Sequence, residues 1–367
     1  MTSVKSKPKI VLKAIILLMI AVSLAGCSGG TGSSGGATTP PPAGGTAALS
    51  PAASFYVINQ NYLPSTILQF SRIANGSVAP TSTIAGPAEA GFISLTVDAL
   101  GSLYVGAQVF GGGVSLGTGP EIGPEILVYA PGATGTQSPS QTITAGLQAL
   151  STNTIAAIAV DSAQNLYAVT GIAVGTGPNS HGYTGVAVFA PNASGAFAPS
   201  KTIVGPLTGI SNNASQMATD TAGNLYIASG PNVSPGSIQI FNSAATGNVA
   251  PTATLAGANT TIDNAQGVAV DTSGNIYVSS SGLNGPATIL RFSAGSSGNV
   301  APVQAITGDP NSMGSLGNLR VDSTGNLYVV EGSTILKFAP GAKGNVAPIA
   351  TISSGAFTNP SGPIAVQ

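Results

Sequence analysis

The chain repeats one short pattern, and this repetition constrains its possible folds more than any other feature. The clearest copies are GVAVDTSGNIYVSS, beginning at Gly267, and NLRVDSTGNLYVVE, beginning at Asn318. QMATDTAGNLYIAS, AIAVDSAQNLYAVT and SLTVDALGSLYVGA are more divergent copies. Each copy precedes a segment that ends in an aromatic residue, such as TILRF or TILKF, then a Gly-rich turn and a short segment opened by Pro.

Three marker positions count the units. A Tyr in the second segment recurs as Tyr56, Tyr104, Tyr167, Tyr226, Tyr277 and Tyr328. An aromatic residue in the third segment recurs as Phe70, Tyr129, Phe189, Phe241, Phe292 and Phe338. The Pro that opens the fourth segment recurs as Pro80, Pro139, Pro199, Pro251, Pro302 and Pro348. All three markers give six units.

Each unit predicts four short β-strands, because apolar segments alternate with turns rich in Gly, Asn and Asp and show no helical periodicity. The Tyr markers lie 48 residues apart from Tyr56 to Tyr104 and 63 apart from Tyr104 to Tyr167. Repeats of this length with four strands are typical of β-propeller blades. The sequence therefore predicts an all-β, six-bladed β-propeller over residues 54–367.

The two ends of the repeat region predict how the ring closes. SFYVINQ, from Ser54, already corresponds to a second strand, so the first unit lacks its first strand. The C-terminal residues GPIAVQ match a first strand, with Gln367 at the position of the repeated Asp. We expect this C-terminal strand to pair with the N-terminal strands of the first blade, because closure removes the open edge of a linear array.

The pattern VDSTGNLYV followed by ILKF resembles the NHL-repeat class of six-bladed propellers, and the resemblance covers about residues 54–367. It implies the fold. The family's frequent Asp after the second strand is replaced here by Ser, Gly or Ala, so no family function is carried over. The chain contains no Trp, which excludes a match to the WD motif.

The N-terminus predicts a secretory signal. A lysine-rich start precedes an apolar run from Ala14 to Val22, which is short for a membrane-spanning helix. The following LAGC resembles the lipobox of bacterial lipoproteins, whose Cys is acylated and becomes the first mature residue. We therefore expect a signal peptide over residues 1–26 and lipidation, including palmitate, at Cys27; an incidental Cys after an ordinary signal is the alternative. Ser28, rather than Asp, follows, which in such lipoproteins implies the outer membrane.

Residues 27–53 are almost entirely Gly, Ser, Thr, Ala and Pro, so they predict a disordered tether between the lipid and the propeller. Cys27 is the one cysteine, so lipidation would leave no thiol for a disulfide or a metal. Cleavage of the signal would leave six basic against eleven acidic residues. No basic patch is available for phosphate contacts, so nucleic acid is not an expected partner.

The repeated residues have structural explanations. An Asp opens each first-to-second strand turn, where its carboxylate can accept backbone N–H groups two residues on. The following Gly adopts positive φ without strain, and Gln164 takes that position in one unit, so we expect strain there. A Ca²⁺ site made from these carboxylates is not expected, because they lie on separate blades. The turn residues are Asp98, Asp161, Asp220, Asp271 and Asp322.

Propeller topology divides the connections between two faces. First-to-second and third-to-fourth connections lie on one face, here the turn face; second-to-third and fourth-to-first connections lie on the other, here the variable face. The six acids outside the repeated turns all map to the variable face. They are Glu89, Glu121, Glu125, Asp263, Asp309 and Glu331.

Two long connections on the variable face belong to adjacent blades and share the sequence GTGP. They are GAQVFGGGVSLGTGPEIGPE, from Gly106, and TGIAVGTGPNSHGYTG, from Thr170. Variable loops on a rigid scaffold are frequent binding sites. Glu121, Glu125, His181 and Tyr183 are therefore predicted ligand-binding residues; the alternative is that these loops expose their few charges to water.

The same loops contain GVSLG, residues 113–117, which fits the G-x-S-x-G pattern of serine hydrolases, near Glu121 and the one histidine, His181. That motif needs a strand, a strained turn and a helix, whereas Gly-rich coil is expected here. We therefore predict no catalytic residue. One His without paired-ligand spacing argues against zinc, whereas Ca²⁺ on the acidic variable face stays an open alternative without direct support. No metal site and no cofactor are therefore predicted.

One position in the first strands carries a charge in a single unit. Two residues before the turn Asp the chain has Thr96, Ala159, Ala218, Ala269, Arg320 and Ala365. The alternation of apolar residues predicts that this position faces the channel. Arg320 could bind an anion there, or could pair with Asp322 or Asp271; pairing is favoured because a lone charge in a narrow channel is costly.

Together these features favour a lipid-anchored, extracytoplasmic binding or interaction scaffold. We expect a monomer attached to the membrane through its lipid, with a protein, peptide or glycan ligand on the variable face. One alternative is a metal-dependent propeller enzyme of lactonase or lyase type with a cation at the channel mouth. Another is a structural protein of the cell envelope.

Overall fold

The computed structural model describes residues 53–60, 63–110, 121–144, 155–174, 181–211, 213–230, 235–282, 286–307, 313–357 and 363–367. These residues form six antiparallel sheets of four main strands, arranged as the blades of a propeller. The predicted fold class and the count of six units are confirmed.

The strands follow the repeat. Blade 1 contains β1 (Ser54–Asn59), β2 (Thr66–Ser71) and β4 (Ser82–Ala85), and β3 (Gly76–Ser77) lies between the last two in sequence. Blade 2 contains β5 (Ala90–Val97), β6 (Leu103–Phe110), β7 (Glu121–Tyr129) and β8 (Gln141–Ile143). Blade 3 contains β9 (Ala157–Val160), β10 (Leu166–Val174), β11 (His181–Phe189) and β12 (Lys201–Ile203).

Blade 4 contains β13 (Ala214–Thr219), β14 (Leu225–Ser229), β15 (Ser237–Phe241) and β16 (Ala253–Leu255). Blade 5 contains β17 (Ala265–Val270), β18 (Ile276–Ser280), β19 (Thr288–Phe292) and β20 (Gln304–Ile306). Blade 6 contains β21 (Leu316–Val321), β22 (Leu327–Glu331), β23 (Thr334–Phe338) and β24 (Ala350–Ser353), and β25 (Ile364–Val366) ends the chain. Short 3₁₀ helices at Pro206–Thr208 and Ala258–Thr260 precede blades 4 and 5.

The C-terminal strand completes blade 1, as the sequence predicted. β25 pairs antiparallel with β1, with Val366 opposite Phe55 and Ile364 opposite Val57, and the sheet order is β25-β1-β2-β4. Gln367 continues the contact, because its N–H donates to the Ser54 carbonyl at 3.0 Å. The first and last strands of the propeller therefore share one sheet.

A second set of links joins the blades at the outer rim. The fourth strand of each blade bridges in parallel to a Gly in the third-to-fourth turn of the next blade, as Ile84 does to Gly135 and Ile203 to Gly247. β24 pairs in the same way with β3, with Ile352 opposite Gly76, so the last blade also links to the first at the rim. Gly76 has φ of 74°, a conformation that favours Gly.

The hydrophobic core is divided into six clusters, and each lies between two adjacent blades. The recurring aromatic residue of the third strand is fully buried in every blade, which explains why the repeat retains it. The cluster between blades 6 and 1 contains Phe55 stacked on Phe70 at 5.3 Å and tilted against Tyr328 at 5.7 Å. The closing interface is therefore packed like the others.

The turn Asp residues form a larger hydrogen-bond network than the sequence predicted. Asp220 Oδ1 accepts the N–H groups of Ala222 and Asn224, each at 2.9 Å, which confirms the expected bond two residues on. Its Oδ2 also accepts the Asn224 side-chain amide at 2.8 Å and the Tyr226 hydroxyl at 3.2 Å. Burial, followed by the charge of Asp220, raises the pKa of Tyr226 to about 12, so the hydroxyl stays protonated and donates.

The expected strain at Gln164 is confirmed, since this residue has φ of 65° where the other copies of the turn have Gly. Its N–H still donates to the Asp161 carbonyl at 3.0 Å, as Gly223 does to Asp220 in the next blade. The turn geometry is therefore kept in spite of the unfavourable residue.

Candidate functional site

Where the structure describes them, the two long connections on the variable face are strand, at residues 106–110 and 121–125 in blade 2 and 170–174 and 181–185 in blade 3. Their Gly-rich centres, residues 111–120 and 175–180, lie outside the described residues. β6 and β7 remain paired as far as Phe110 opposite Glu121, and β10 and β11 as far as Val174 opposite His181. In blade 4 the corresponding strands have five residues each. The apolar residues of QVF and IAV favour strand, and antiparallel pairing satisfies the backbone groups of the neighbouring glycines. Blades 2 and 3 therefore carry two extended hairpins, β6–β7 and β10–β11.

The predicted ligand-binding residues of these hairpins lie in strands rather than loops. Glu121 and His181 are the first residues of β7 and β11, and their side chains lie outside the described residues. The GVSLG segment, residues 113–117, also lies outside them. Glu125 faces Ala107 across its hairpin and Tyr183 faces Ile172 across the other. The hairpins thus place these residues on adjacent blades.

Glu125 and Tyr183 have different surroundings. Burial raises the pKa of the half-buried Glu125 carboxyl, and in the described part of the chain no cation pairs with it. Tyr183 is half-buried and packs against the core cluster shared by blades 2 and 3. A partly desolvated carboxylate without a cation is costly to keep charged. A cationic group on a ligand would therefore stabilise the ionised carboxylate of Glu125.

The remaining predicted acids are dispersed over the variable face. Glu331 ends β22, accepts the Gly314 N–H at 3.1 Å and leads into a two-residue turn before β23. Glu89 and Asp263 are half-buried in connections between blades, and Asp309 lies outside the described residues. Among the described residues no three His, Cys, Asp or Glu side chains come together as a metal site would require. The metal-dependent alternative therefore has no ligand set within that part of the chain.

The channel contains two small cavities that meet at Arg320. One, of about 110 Å³, lies toward the variable face and includes Gln60, Ser94, Gln216, Asn318 and Arg320 in its lining. The other, of about 130 Å³, lies toward the turn face and is lined mainly by Val and Ala. Among the described residues, Arg320 is the one charged residue that lines either cavity. Its predicted position in the channel is confirmed.

The favoured pairing of Arg320 with Asp322 or Asp271 is wrong. Asp322 instead lies 3.3 Å from Arg72 Nη1, and this is the one ion pair among the described residues. Arg320 donates to two backbone carbonyls, from Nη1 to Leu319 at 3.2 Å and from Nη2 to Leu95 at 3.4 Å. Ring closure places Arg72 of blade 1 beside blade 6, a neighbour that the sequence around Asp322 does not reveal. Burial lowers the pKa of Arg320 to about 10, so it is charged at neutral pH.

Sequence reasoning missed Gln216, the central side chain of the channel. Gln216 is buried in β13 of blade 4, and its Oε1 accepts the N–H groups of Val268 in blade 5 and Leu319 in blade 6, at 3.1 and 3.0 Å. Its Nε2 donates to the Leu319 carbonyl at 2.8 Å. A register shift between Ala214 and Gln216 in β13 accompanies this placement. One signal was available: the equivalent position is Ala157 and Gly267 in the two adjacent blades, whereas Gln216 is polar, as are Ser94 and Asn318 in blades 2 and 6.

Comparisons with known proteins agree with the architecture. A sequence profile of the SBBP β-propeller repeat matches residues 253–285. No curated protein sequence matches the chain. No helix in the described ranges is long and apolar enough to cross a membrane.

Two solved structures illustrate the fold. A chain from a nidogen/laminin complex superimposes with a TM-score of 0.54 at 12% identity, covering 85% of this chain and 98% of the other. A putative 6-phosphogluconolactonase from Bacteroides fragilis superimposes with a TM-score of 0.55 at 13% identity, covering 88% and 100%. At such identities the similarity shows a shared propeller fold. The more specific NHL resemblance stays a prediction.

Proposed function

We propose that this protein is a binding scaffold of the cell envelope, anchored through lipid on Cys27, which engages a protein, peptide or glycan with its variable face. The observation that carries the proposal is the pair of extended hairpins in adjacent blades 2 and 3. Blade 6 makes its second-to-third strand connection with two residues, Gly332 and Ser333. A blade of this propeller can therefore close and pack without an extended hairpin.

The chemistry of the hairpins supports a polar ligand. Glu125 offers a half-buried carboxylate that pairs with no cation among the described residues, and Tyr183 offers an aromatic ring on the neighbouring hairpin. A carboxylate and an aromatic ring together suit a ligand with amino or hydroxyl groups and an apolar face. Sugars and lysine-containing peptides both have these features.

Exchange of the hairpins tests the binding face. Residues 107–125 and 171–184 are each replaced by Gly-Ser, the turn of blade 6, and both proteins are applied to glycan arrays, peptide arrays and purified peptidoglycan. We expect the wild-type protein to bind one of these classes and the exchanged protein to lose that binding while its thermal transition stays cooperative. Ser296→Ala with Ser297→Ala, on the turn face, is the matched control and should bind normally.

Two outcomes would contradict the proposal. Binding that survives the exchange would place the ligand elsewhere on the propeller. A wild-type protein that binds none of the three classes would favour the structural alternative.

The anchor has its own test. Cells that express the full chain are labelled with an alkyne analogue of palmitate, and Cys27→Ala is the control. We expect label and membrane association in the wild-type protein and neither in C27A. Unlabelled wild-type protein would contradict lipid anchoring. That result would not bear on the binding face, which the hairpin exchange tests separately.

A further inference from the structure

The channel holds a positive charge that the described protein does not neutralise. Arg320 lies between the two channel cavities, and the one described ion pair of the chain involves Arg72 and Asp322 instead. The turn-face carboxylates are engaged in their own turns, as the four bonds to Asp220 illustrate. The Arg320 side chain is half-buried, and a partly desolvated charge without a charged partner is costly.

The guanidinium is also only weakly bonded. A guanidinium has five N–H donors, and charge-assisted bonds are usually 2.7–2.9 Å long. The two bonds of Arg320 measure 3.2 and 3.4 Å and end on neutral carbonyls, and in the described part of the chain its other donors have no partner. Arg320 therefore retains donors for a further acceptor.

The cavity toward the variable face supplies additional donors. Asn318 makes no side-chain hydrogen bond to any described residue, and Gln216 Nε2 uses one of its two hydrogens on Leu319. Among the described residues no acid lines this cavity, whereas Asp98, Asp271 and Asp322 line the opening on the turn face. An anion would thus meet amide and guanidinium groups from one side and carboxylates from the other.

We propose that Arg320 binds a small carboxylate ion in the cavity of about 110 Å³ that lies toward the variable face. The planar guanidinium matches the two oxygens of a carboxylate, and Asn318 and Gln216 contribute neutral donors. The volume accommodates a few water molecules or one small ion such as formate or acetate. This inference does not depend on the hairpins, although the cavity lies toward the same face.

Equilibrium dialysis with radiolabelled acetate, at fixed ionic strength and neutral pH, tests the site. We expect one saturable site per chain, competition by formate and no competition by acetamide, which has a similar shape without charge. R320M should weaken acetate binding at least tenfold. R291M is the matched control, because Arg291 lies on an outer strand and contacts Gln304 and Tyr277 rather than the channel.

Three results would overturn the inference: no saturable acetate binding, equal binding by R320M and the wild type, or an equal loss in R291M. Should R320M fail to fold, R320K provides the test, because an ammonium group cannot donate two parallel bonds to a carboxylate. Acetate affinity must then fall at least threefold, and an unchanged affinity contradicts the site. The two proposals can fail separately. Absence of acetate binding with normal array binding would contradict only the Arg320 site, and absence of array binding with normal acetate binding would contradict only the proposed function.

Discussion

Gln216 of blade 4 donates a hydrogen bond to the backbone carbonyl of Leu319 in blade 6, at 2.8 Å across the channel. The same amide accepts two backbone N–H groups, from Val268 and Leu319. One side chain therefore fixes the inner strands of three blades relative to each other. Gly267 leaves room for it, because a Cβ there would overlap Gln216 Oε1.

Replacement of this amide should destabilise the propeller. Q216L leaves the N–H groups of Val268 and Leu319 without an acceptor, and each unpaired buried group costs about 1–3 kcal/mol. We expect a loss of about 2–4 kcal/mol in the free energy of unfolding, measured by urea denaturation. Q266L, at a half-buried glutamine of β17 that makes no side-chain hydrogen bond to the described chain, is the control. Equal stability of the two variants would show that the bridge contributes little.

Tyr129 is the exception among the buried third-strand aromatics, since the other five are Phe. Its hydroxyl is buried and has no partner among the described residues. Burial raises its pKa to about 12. Y129F should therefore stabilise the protein by about 1 kcal/mol, because it removes an unsatisfied polar group. Y167F is the opposite control: the Tyr167 hydroxyl donates to Asp161 at 3.0 Å, so its removal should lower the melting temperature.

Asp322 differs from the other turn acids through its ion pair with Arg72. Asp322 is almost fully buried, so D322A leaves Arg72 without its partner, and we expect a loss of about 3 kcal/mol. D220A removes an equivalent turn network without an ion pair and should cost about 1–2 kcal/mol. Similar losses in urea denaturation would show that the ion pair adds nothing.

The same carboxylate predicts a pH dependence. Burial raises the pKa of Asp322, but hydrogen bonds from Asn326 and Thr324 outweigh it and the net pKa is lowered. A lowered folded-state pKa stabilises the protein above the unfolded value of about 4, and this contribution is lost as pH falls through the folded value. The stability difference between wild type and D322N should therefore be constant from pH 7 to about 5 and shrink below about 4. A difference that grows in acid would contradict this assignment.

Gln164 carries the strain of a positive φ that Gly would relieve. Q164G should raise stability by about 1 kcal/mol, because left-handed backbone is unfavourable for residues with a Cβ. G223Q, at the equivalent position with φ of 77°, is the reciprocal variant and should lose a similar amount. Thermal denaturation measures the stability of both variants. A lower melting temperature in Q164G would mean that the contact of the Gln164 side chain with the Tyr104 hydroxyl, at 3.4 Å, stabilises the protein by more than the strain costs.

The blade architecture was predictable from the sequence because the constraints are local and repeated six times. The Asp turn, the buried third-strand aromatic and the alternation toward the channel each depend on neighbours within one unit. The missing first strand likewise followed from counting strands, and β25 confirmed it.

Contacts between units were not predictable in the same way. The partner of Asp322 comes from blade 1, the partners of Gln216 come from two other blades, and the rim links join each Ile or Leu to a Gly of the next unit. The ends of the two long connections of blades 2 and 3 were expected in loops because of the Gly content, whereas these ends pair as strands. The recurring Gly before VAP was a visible signal for the rim links.

Removal of the C-terminal hexapeptide, residues 362–367, tests the closure of the ring most directly, and the variable face and the channel both depend on that closure. The truncation removes the fully buried Ile364 and Ala365 and exposes the edge of β1. We predict a melting temperature lower by at least about 5–10 °C and a broader transition in differential scanning calorimetry, with I364A giving a smaller shift in the same direction. An unchanged melting temperature and a transition as sharp as that of the intact chain would contradict closure by the terminal strand.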